Sequence, residues 1–319
     1  MPRAALATEF VDYVLPARQL PAKLLDSVRH PGARARRPTP GPRGRLGPPA
    51  PALTGRTGGG PADDDRALDE DDTEVPVMEL SIGLPDGLLM RLTEGNVLTL
   101  FEKDHETVRR TVDCSVLGGA PIADMVWSHK LSAVIVAVPS LHRLFRWDPY
   151  TDVLYEFAGT GESGRRDGKA AQAKFAATVS ITEDGNGTLW LIDRDSSSLR
   201  CIEIDTDKPD GSPQVCTVVG RAGAGFADGP ADVAQLDHPE DLQILYDGSI
   251  VIADTGNDAI RHLDPASREL DTVYGGGTEG SVEFDDDIEL KRPVRVTVAD
   301  SELWVEDDNG RHRLELHFV

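Results

Sequence analysis

Beyond residue 76 the chain is written in short apolar runs rich in Val, Ile, Leu and Thr, separated by turn-forming dipeptides. Residues 177–204 show the scheme: ATVSITE, then a DGNG turn, TLWLID, a polar loop, and LRCIEI. Runs of this composition broken by D-G and N-G read as strands joined by hairpin turns. QVCTVVG then supplies a fourth strand. The same order returns at 239–276, where PEDLQILYDGSIVIADTGNDAIRHLD is followed by LDTVYGG. Asp254 falls on Asp193, and Ile260–Arg261 on Leu199–Arg200, six residues further on in both.

A glycine loop precedes each unit. GTGESGRRDGKAAQAKF starts at Gly159 and GRAGAGFADGPADVAQL at Gly220. The first contains G-x-G-x-x-G, which in a strand–loop–helix context binds dinucleotides. Its middle glycine, Gly161, falls on Ala222, whereas Gly159, Gly164, Asp167–Gly168 and Ala173 all recur as Gly220, Gly225, Asp228–Gly229 and Ala234. The part that repeats is architectural, and the phosphate pattern is the part that does not. Weaker four-strand units occupy 77–119, with Asp86–Gly87 as the first turn, and 124–159, with Val138 at the Asp position. A three-strand unit ends the chain in RPVRVTVADSELWVEDDNGRHRLELHF. Four-strand units at a period of about 40 to 60 residues signal a propeller.

These residues resemble the NHL repeat family, whose blades combine a glycine and D-G loop, A-x-F, Pro, an apolar strand, a D-G turn and Y-V-A-D-x-G-N-x-x-I-R. IADTGNDAIRHLD (Ile252–Asp264) is the closest match, and the resemblance is specific over 158–275. It implies an all-β fold, an NHL-type β-propeller, with about five recognisable blades here against six in most relatives. In closed rings of this kind the outer strand missing from the last blade comes from the other end of the chain. The unassigned apolar run EFVDYVL makes Phe10–Leu15 the expected partner of Arg313–Phe318.

Composition separates the rest. Residues 1–56 hold nine Arg and one Lys against three acids, so a formal total of −22 leaves the remainder strongly acidic. The Pro, Gly and Arg of 31–62 cannot bury enough surface to order, and DDDRALDEDD after them is a like-charge run. The expected organisation is a disordered region over 1–75 and a propeller over 77–319. An acidic body does not suit DNA, because phosphate contacts need clustered Lys and Arg. The Arg-rich tail is suited to an acidic partner. No run reaches the length of a membrane span, and the N-terminus lacks the apolar stretch of a secretory signal. The cytoplasm is the expected compartment, with organelle import as the alternative for an Arg-rich, acid-poor start. Cys114, Cys201 and Cys216 lie in strand-like runs without C-x-x-C. They read as small buried residues of a reducing compartment, a Cys201–Cys216 cross-strand disulfide being the alternative.

Candidate chemistry is sparse. In a propeller the first strand of each blade lines the central channel. Aligning the units puts Asp124, Thr178, Asp241 and Arg295 at one position there, with Glu79 as a fifth. With His238 and Glu240 near Asp241, a partly acidic ring could hold Ca or Zn through hard oxygen and imidazole ligands. Asp167, Asp193, Asp228 and Asp254 read as turn residues that accept backbone N–H groups. Trp190 and Trp304 read as packing between blades. The run DTDKPDGS (Asp205–Ser212) resembles a calcium loop but has Pro209 at a ligand position, so a hairpin turn is expected. No G-x-S-x-G, H-E-x-x-H or serine–histidine pairing is present. The expected function is a non-catalytic propeller that binds a protein partner through its loop face, without a cofactor. The alternatives are an enzyme of the lyase or lactonase kind with a channel-bound metal, and a fragment of a larger multi-domain NHL protein.

Overall fold

A computed structural model describes residues 80–205, 212–276, 290–299 and 302–314. The region expected to be disordered, Glu79, the Phe10–Leu15 closing strand and most of the DTDKPDGS run lie outside the described residues. The described chain is a five-blade β-propeller without α-helix.

Blade 1 is β1 (Ser81–Gly83), β2 (Leu89–Thr93), β3 (Val97–Phe101) and β4 (Val108–Thr111). Blade 2 is β5 (Asp124–Ser128), β6 (Ala133–Val138), β7 (Arg143–Asp148) and β8 (Val153–Ala158). The two-residue β9 (Gly168–Lys169) lies on the outer edge of blade 3, which is β10 (Thr178–Glu183), β11 (Leu189–Asp193), β12 (Ser198–Glu203) and β13 (Gln214–Val219). Likewise β14 (Gly229–Pro230) edges blade 4, formed by β15 (Asp241–Ile244), β16 (Ile250–Asp254), β17 (Ala259–Asp264) and β18 (Glu269–Gly275). Blade 5 has three strands among the described residues, β19 (Arg295–Ala299), β20 (Glu302–Asp307) and β21 (Gly310–Leu314). Every blade is an antiparallel meander, and the first strands of successive blades pack on one another.

The pleat alternates faces, so one strand serves two interfaces. Val134, Val136 and Val138 of β6 face blade 1, whereas Ile135 and Ala137 face blade 3. Leu189 and Leu191 face blade 2, and Trp190 and Ile192 face blade 4. Val251 and Ala253 complete the pattern against Leu303 and Val305 of blade 5. Second strands buried on both faces therefore read as continuous apolar runs, and the core consists of layers between blades.

The glycine loops have a steric origin. Gly159 has φ 101°, and a Cβ there would lie 2.5 Å from the carbonyl oxygen of His142. A Cβ on Gly220 (φ 90°) would meet the Ser197 carbonyl in the same way. The D-G pairs act differently from the turn role expected of them. The glycines do take positive φ, 122° at Gly168 and 111° at Gly229. The aspartates, however, reach across the blade: Asp167 accepts from Thr217 N and Oγ1, and Asp228 from Thr272 Oγ1.

Both also receive a buried arginine. Arg200, fully buried, donates to Asp193 Oδ2 at 3.2 Å, Asp167 Oδ1 at 2.9 Å and the carbonyls of Lys174 and Arg166, beneath the ring of Phe175. Arg261 repeats this with Asp254 at 2.7 Å, Asp228 at 2.5 Å and the carbonyls of Gln235 and Ala227. As expected, the strand-end aspartates accept backbone N–H groups, Asp193 from Ala176 and Ala177, and Asp254 from Asp237. Ladder register locates the same two positions in the other blades. Blade 1 has Thr93 and Thr99, hydrogen-bonded at 3.1 Å; blade 2 has Val138 and Phe145; blade 5 has Asp307 and His312 at 2.9 Å.

Cys201 and Cys216, directly opposite in the β12–β13 ladder, form a disulfide. This corrects the expectation of separate buried thiols; Cys114 remains a thiol.

Two stability outcomes follow. Arg261→Met should lower the unfolding free energy by about 3–5 kcal/mol, because it strands a buried carboxylate. The double exchange Asp254→Val with Arg261→Phe, copying blade 2, should be less destabilised than that single variant in urea titrations. A double variant that falls to the sum of the single losses would show that the two side chains do not act as a pair. Replacing both Cys201 and Cys216 by Ser should cost about 3 kcal/mol, since the disulfide closes a 15-residue separation. An unchanged denaturation midpoint would exclude the cross-link in solution.

Candidate functional site

The channel positions come first. Asp124 opens β5 and Asp241 opens β15, but each is committed to its neighbour. Asp124 Oδ1 accepts from Met125 N, and its Oδ2 from Ile181 N of blade 3 at 2.8 Å. Asp241 accepts from Ser180 Oγ of blade 3 at 2.7 Å and from Val296 N of blade 5 at 3.0 Å. These carboxylates staple inner strands together. Arg295 opens β19 opposite Glu306, the register position that Asp241 holds opposite Ala253. Thr178 does not share it. A bulge between Thr178 and Ser180 sets Ser180 opposite Ile192, so Ser180 is the blade 3 counterpart and Thr178 is buried beside Asp193. An unbroken alignment could not show that bulge.

The donor chemistry therefore suits a metal poorly at this position. Both oxygens of each channel aspartate already receive an N–H or O–H, and blades 3 and 5 contribute a serine and an arginine. Burial pushes the Asp241 carboxyl above the usual range, opposed by its bonds to Ser180 and Val296 and by the charge of Arg295.

His238 and Glu240 lie instead at the end of the propeller where blades 3, 4 and 5 meet. There a cleft of about 510 Å³ is lined by Arg194, Asp195, His238, Glu240, Asp258 and Arg292, with Thr255 and Gly256 beneath. Its walls are built from two kinds of segment. The loops after the second strands, 194–197 and 255–258, each close on a residue with positive φ, Ser197 at 48° and Asp258 at 51°. The segments entering the first strands bring His238, φ 44°, and Arg292, φ 50°. The two are stitched blade to blade: His238 N donates to Ser197 Oγ at 3.1 Å, and Arg292 N to Asp258 Oδ1 at 2.6 Å. Blade 2 has the same stitch, from the His142 ring to the carbonyl of Ala176 at 2.7 Å.

The charges in the cleft alternate. Arg194 contacts Glu240 at 3.6 Å and Asp195 at 2.8 Å, and the His238 ring pairs with Asp237 at 2.6 Å. Burial raises the Glu240 carboxyl while Arg194 opposes it, and Arg194 itself is raised chiefly by its bond to Asp195. The surface of the cleft is polar and carries charges of both signs. Its titratable groups include the His238 ring, oriented by Asp237, and the Glu240 carboxyl beside Arg194. Of these residues the sequence singled out only His238 and Glu240. Arg194, Asp195, Asp258 and Arg292 carry no pattern of their own, because the fold alone brings them together.

No protein-family model matches the chain. Over 118 residues it is 30% identical to Protein SUPPRESSOR OF QUENCHING 1, chloroplastic, of Arabidopsis thaliana, a stretch covering 37% of this chain and 10% of that protein. Among solved structures it is similar to an auxiliary nutrient binding protein from Bacteroides ovatus, at 14% identity and a TM-score of 0.48, covering 73% of this chain and 68% of the other. Virginiamycin B lyase from Staphylococcus aureus aligns at 11% identity and a TM-score of 0.44, over 75% of this chain and 69% of that one. PorZ of Porphyromonas gingivalis aligns at 14% identity and 0.49, over 74% and 32%. None of these likenesses carries an activity to this chain.

The channel staple has a pH signature. The raised folded-state value of Asp241 means that its contribution is fully present below the unfolded value of about 3.9 and is lost as pH rises through the folded one. Asp241→Asn removes the charge and keeps a side-chain carbonyl to accept from Val296 N. The melting temperature of the Asn variant should therefore improve relative to wild type between pH 4 and 7. A difference that is flat or falls with pH would place the ionised carboxylate in a favourable environment instead.

Proposed function

We propose that this chain is an NHL-type propeller that works as a protein-interaction module, engaging a polypeptide through the loop end of blades 3–5. The observation that carries this reading is the cleft at that end. Loops from three consecutive blades present two arginines, three carboxylates and a histidine on one rigidly stitched surface. Loops held by a rigid scaffold are where binding residues concentrate, and alternating charge favours specificity over bulk affinity. The NHL assignment is supported by the Asp254–Arg261 and Asp193–Arg200 pairs, which give a physical role to the D and R of IADTGNDAIR. The reading as a channel-metal enzyme draws no comparable support, since Asp124 and Asp241 are used as staples.

Because the matched stretch covers only a tenth of the plant relative, the propeller would act within a larger protein in such relatives. An organelle suits the compartment better than the cytoplasm. The relative's name carries the word chloroplastic, residues 1–56 are Arg-rich and acid-poor, and disulfides are rare in reducing compartments.

Charge reversal tests the interaction surface. Arg194→Glu with Arg292→Glu should abolish cross-linking of the chain to its partners in extracts of the source cells, with the fold retained by circular dichroism. Tyr246→Ala, in the turn between β15 and β16, should leave cross-linking intact. If both variants recover the same partners as wild type, the loop end of blades 3–5 is not the binding surface.

A further inference from the structure

Far from that cleft in the blade, the disulfide has a third member. Glu203 follows Cys201 by two residues on β12 and so shares its face, and its ladder partner Gln214 lies two residues before Cys216 on β13. Ligand atoms of Cys201, Cys216 and Glu203 lie within 4.8 Å of one another. Exposure grades across the group: Cys201 is 4% exposed within the core between blades 3 and 4, Cys216 is half-buried, and Glu203 is exposed. The pair of sulfurs thus runs from the core toward the exposed rim. The frame does not depend on the disulfide. β12 is held by β11 on one side, β13 carries β9 on the other, and Trp190 packs across from Cys201.

We propose that two-electron reduction of the Cys201–Cys216 disulfide by a dithiol turns this place into a zinc site. The ligands are Cys201 Sγ, Cys216 Sγ and a Glu203 carboxylate oxygen, with water in the fourth position. The disulfide takes up two electrons and two protons from the dithiol, which becomes a disulfide. Binding of Zn²⁺ then releases the two thiol protons. Thiolate ligands select Zn²⁺ over hard cations, and three protein ligands plus water satisfy its tetrahedral preference. The electrostatics favour the exchange. Two thiolates and a carboxylate this close would repel one another at a half-buried spot, so the reduced pair stays protonated until a divalent cation takes the place of its protons. The two states exclude each other, so metal loading would report the redox condition of blade 3. This inference does not rest on the partner-binding reading.

The test uses the full chain, reduced with dithiothreitol, desalted without oxygen and titrated with Co²⁺ as a spectroscopic stand-in for Zn²⁺. One equivalent should bind with thiolate-to-cobalt charge-transfer absorption, and Zn²⁺ should displace it. The oxidised chain should show no such band. Glu203→Gln, on the exposed rim where the fold is not at risk, should bind at least about tenfold more weakly, as for loss of a supporting group or more. Cys114→Ala should bind like wild type. The proposal is overturned if the reduced chain gives no charge-transfer band, if Glu203→Gln binds as tightly as wild type, or if Cys114→Ala abolishes the signal.

Discussion

A guanidinium with no exposed surface is the constraint around which blades 3 and 4 are built. Burying an arginine is tolerable only when acceptors meet its charge, and here the two terminal nitrogens of each guanidinium reach two carboxylates and two carbonyls, while Nε has no partner. Those acceptors come from the glycine loop, the strand-end aspartate and the segment entering the first strand. One side chain thereby ties together three pieces of backbone, two of which meet otherwise only at an isolated bridge, Arg166–Lys174 in blade 3 and Ala227–Gln235 in blade 4. Nearly everything that recurs in the sequence of these blades serves that node.

The other blades show that the node is one solution among several to the same geometric problem. Blade 2 fills the positions with Val138 and Phe145, and the change is matched elsewhere. The backbone donor that Ala176 contributes in blade 3 falls on Pro121, which has no N–H, and the N–H of Ile122 is taken by Asn96 Oδ1. Exchanging both partners for apolar groups costs little when the surrounding donors are also removed. Blade 1 uses two threonines and blade 5 an aspartate with a histidine. A propeller tolerates this variety because each blade contacts only its neighbours, so one interface can change chemistry without disturbing the next.

Strand order, blade boundaries and the turn glycines were legible because each rests on a local rule of pattern or backbone sterics. The recurrence of Arg200 and Arg261 was visible too. Its meaning was not, since an arginine seven residues from a strand end reads as solvated until burial is known. The aromatic ring over each guanidinium shows the limit of alignment: Phe175 serves Arg200, but Phe226 serves Arg261 from a different place in its loop. Space selected the ring where sequence position did not. Thr178 failed for a related reason, because the bulge before Ser180 inserts one extra residue, displaces the channel position along the strand and leaves no signature in composition.

The cleft was the least legible feature, and the stitching of the blades explains why. The residue closing each second-to-third strand loop, His142, Ser197 or Asp258, bonds to the segment entering the next blade. The stitch fixes the backbone at each junction but uses a different side chain every time, with a ring nitrogen, a hydroxyl and a carboxylate doing the same task. Any side chain with a donor or acceptor of suitable reach meets the requirement, so the adjoining positions can vary in charge without loss of the frame. Arg194, Asp195 and Arg292 occupy those positions. The regularity that makes the propeller readable thus ends where the loops begin, and what distinguishes this chain from another propeller is written in residues that the repeat does not constrain.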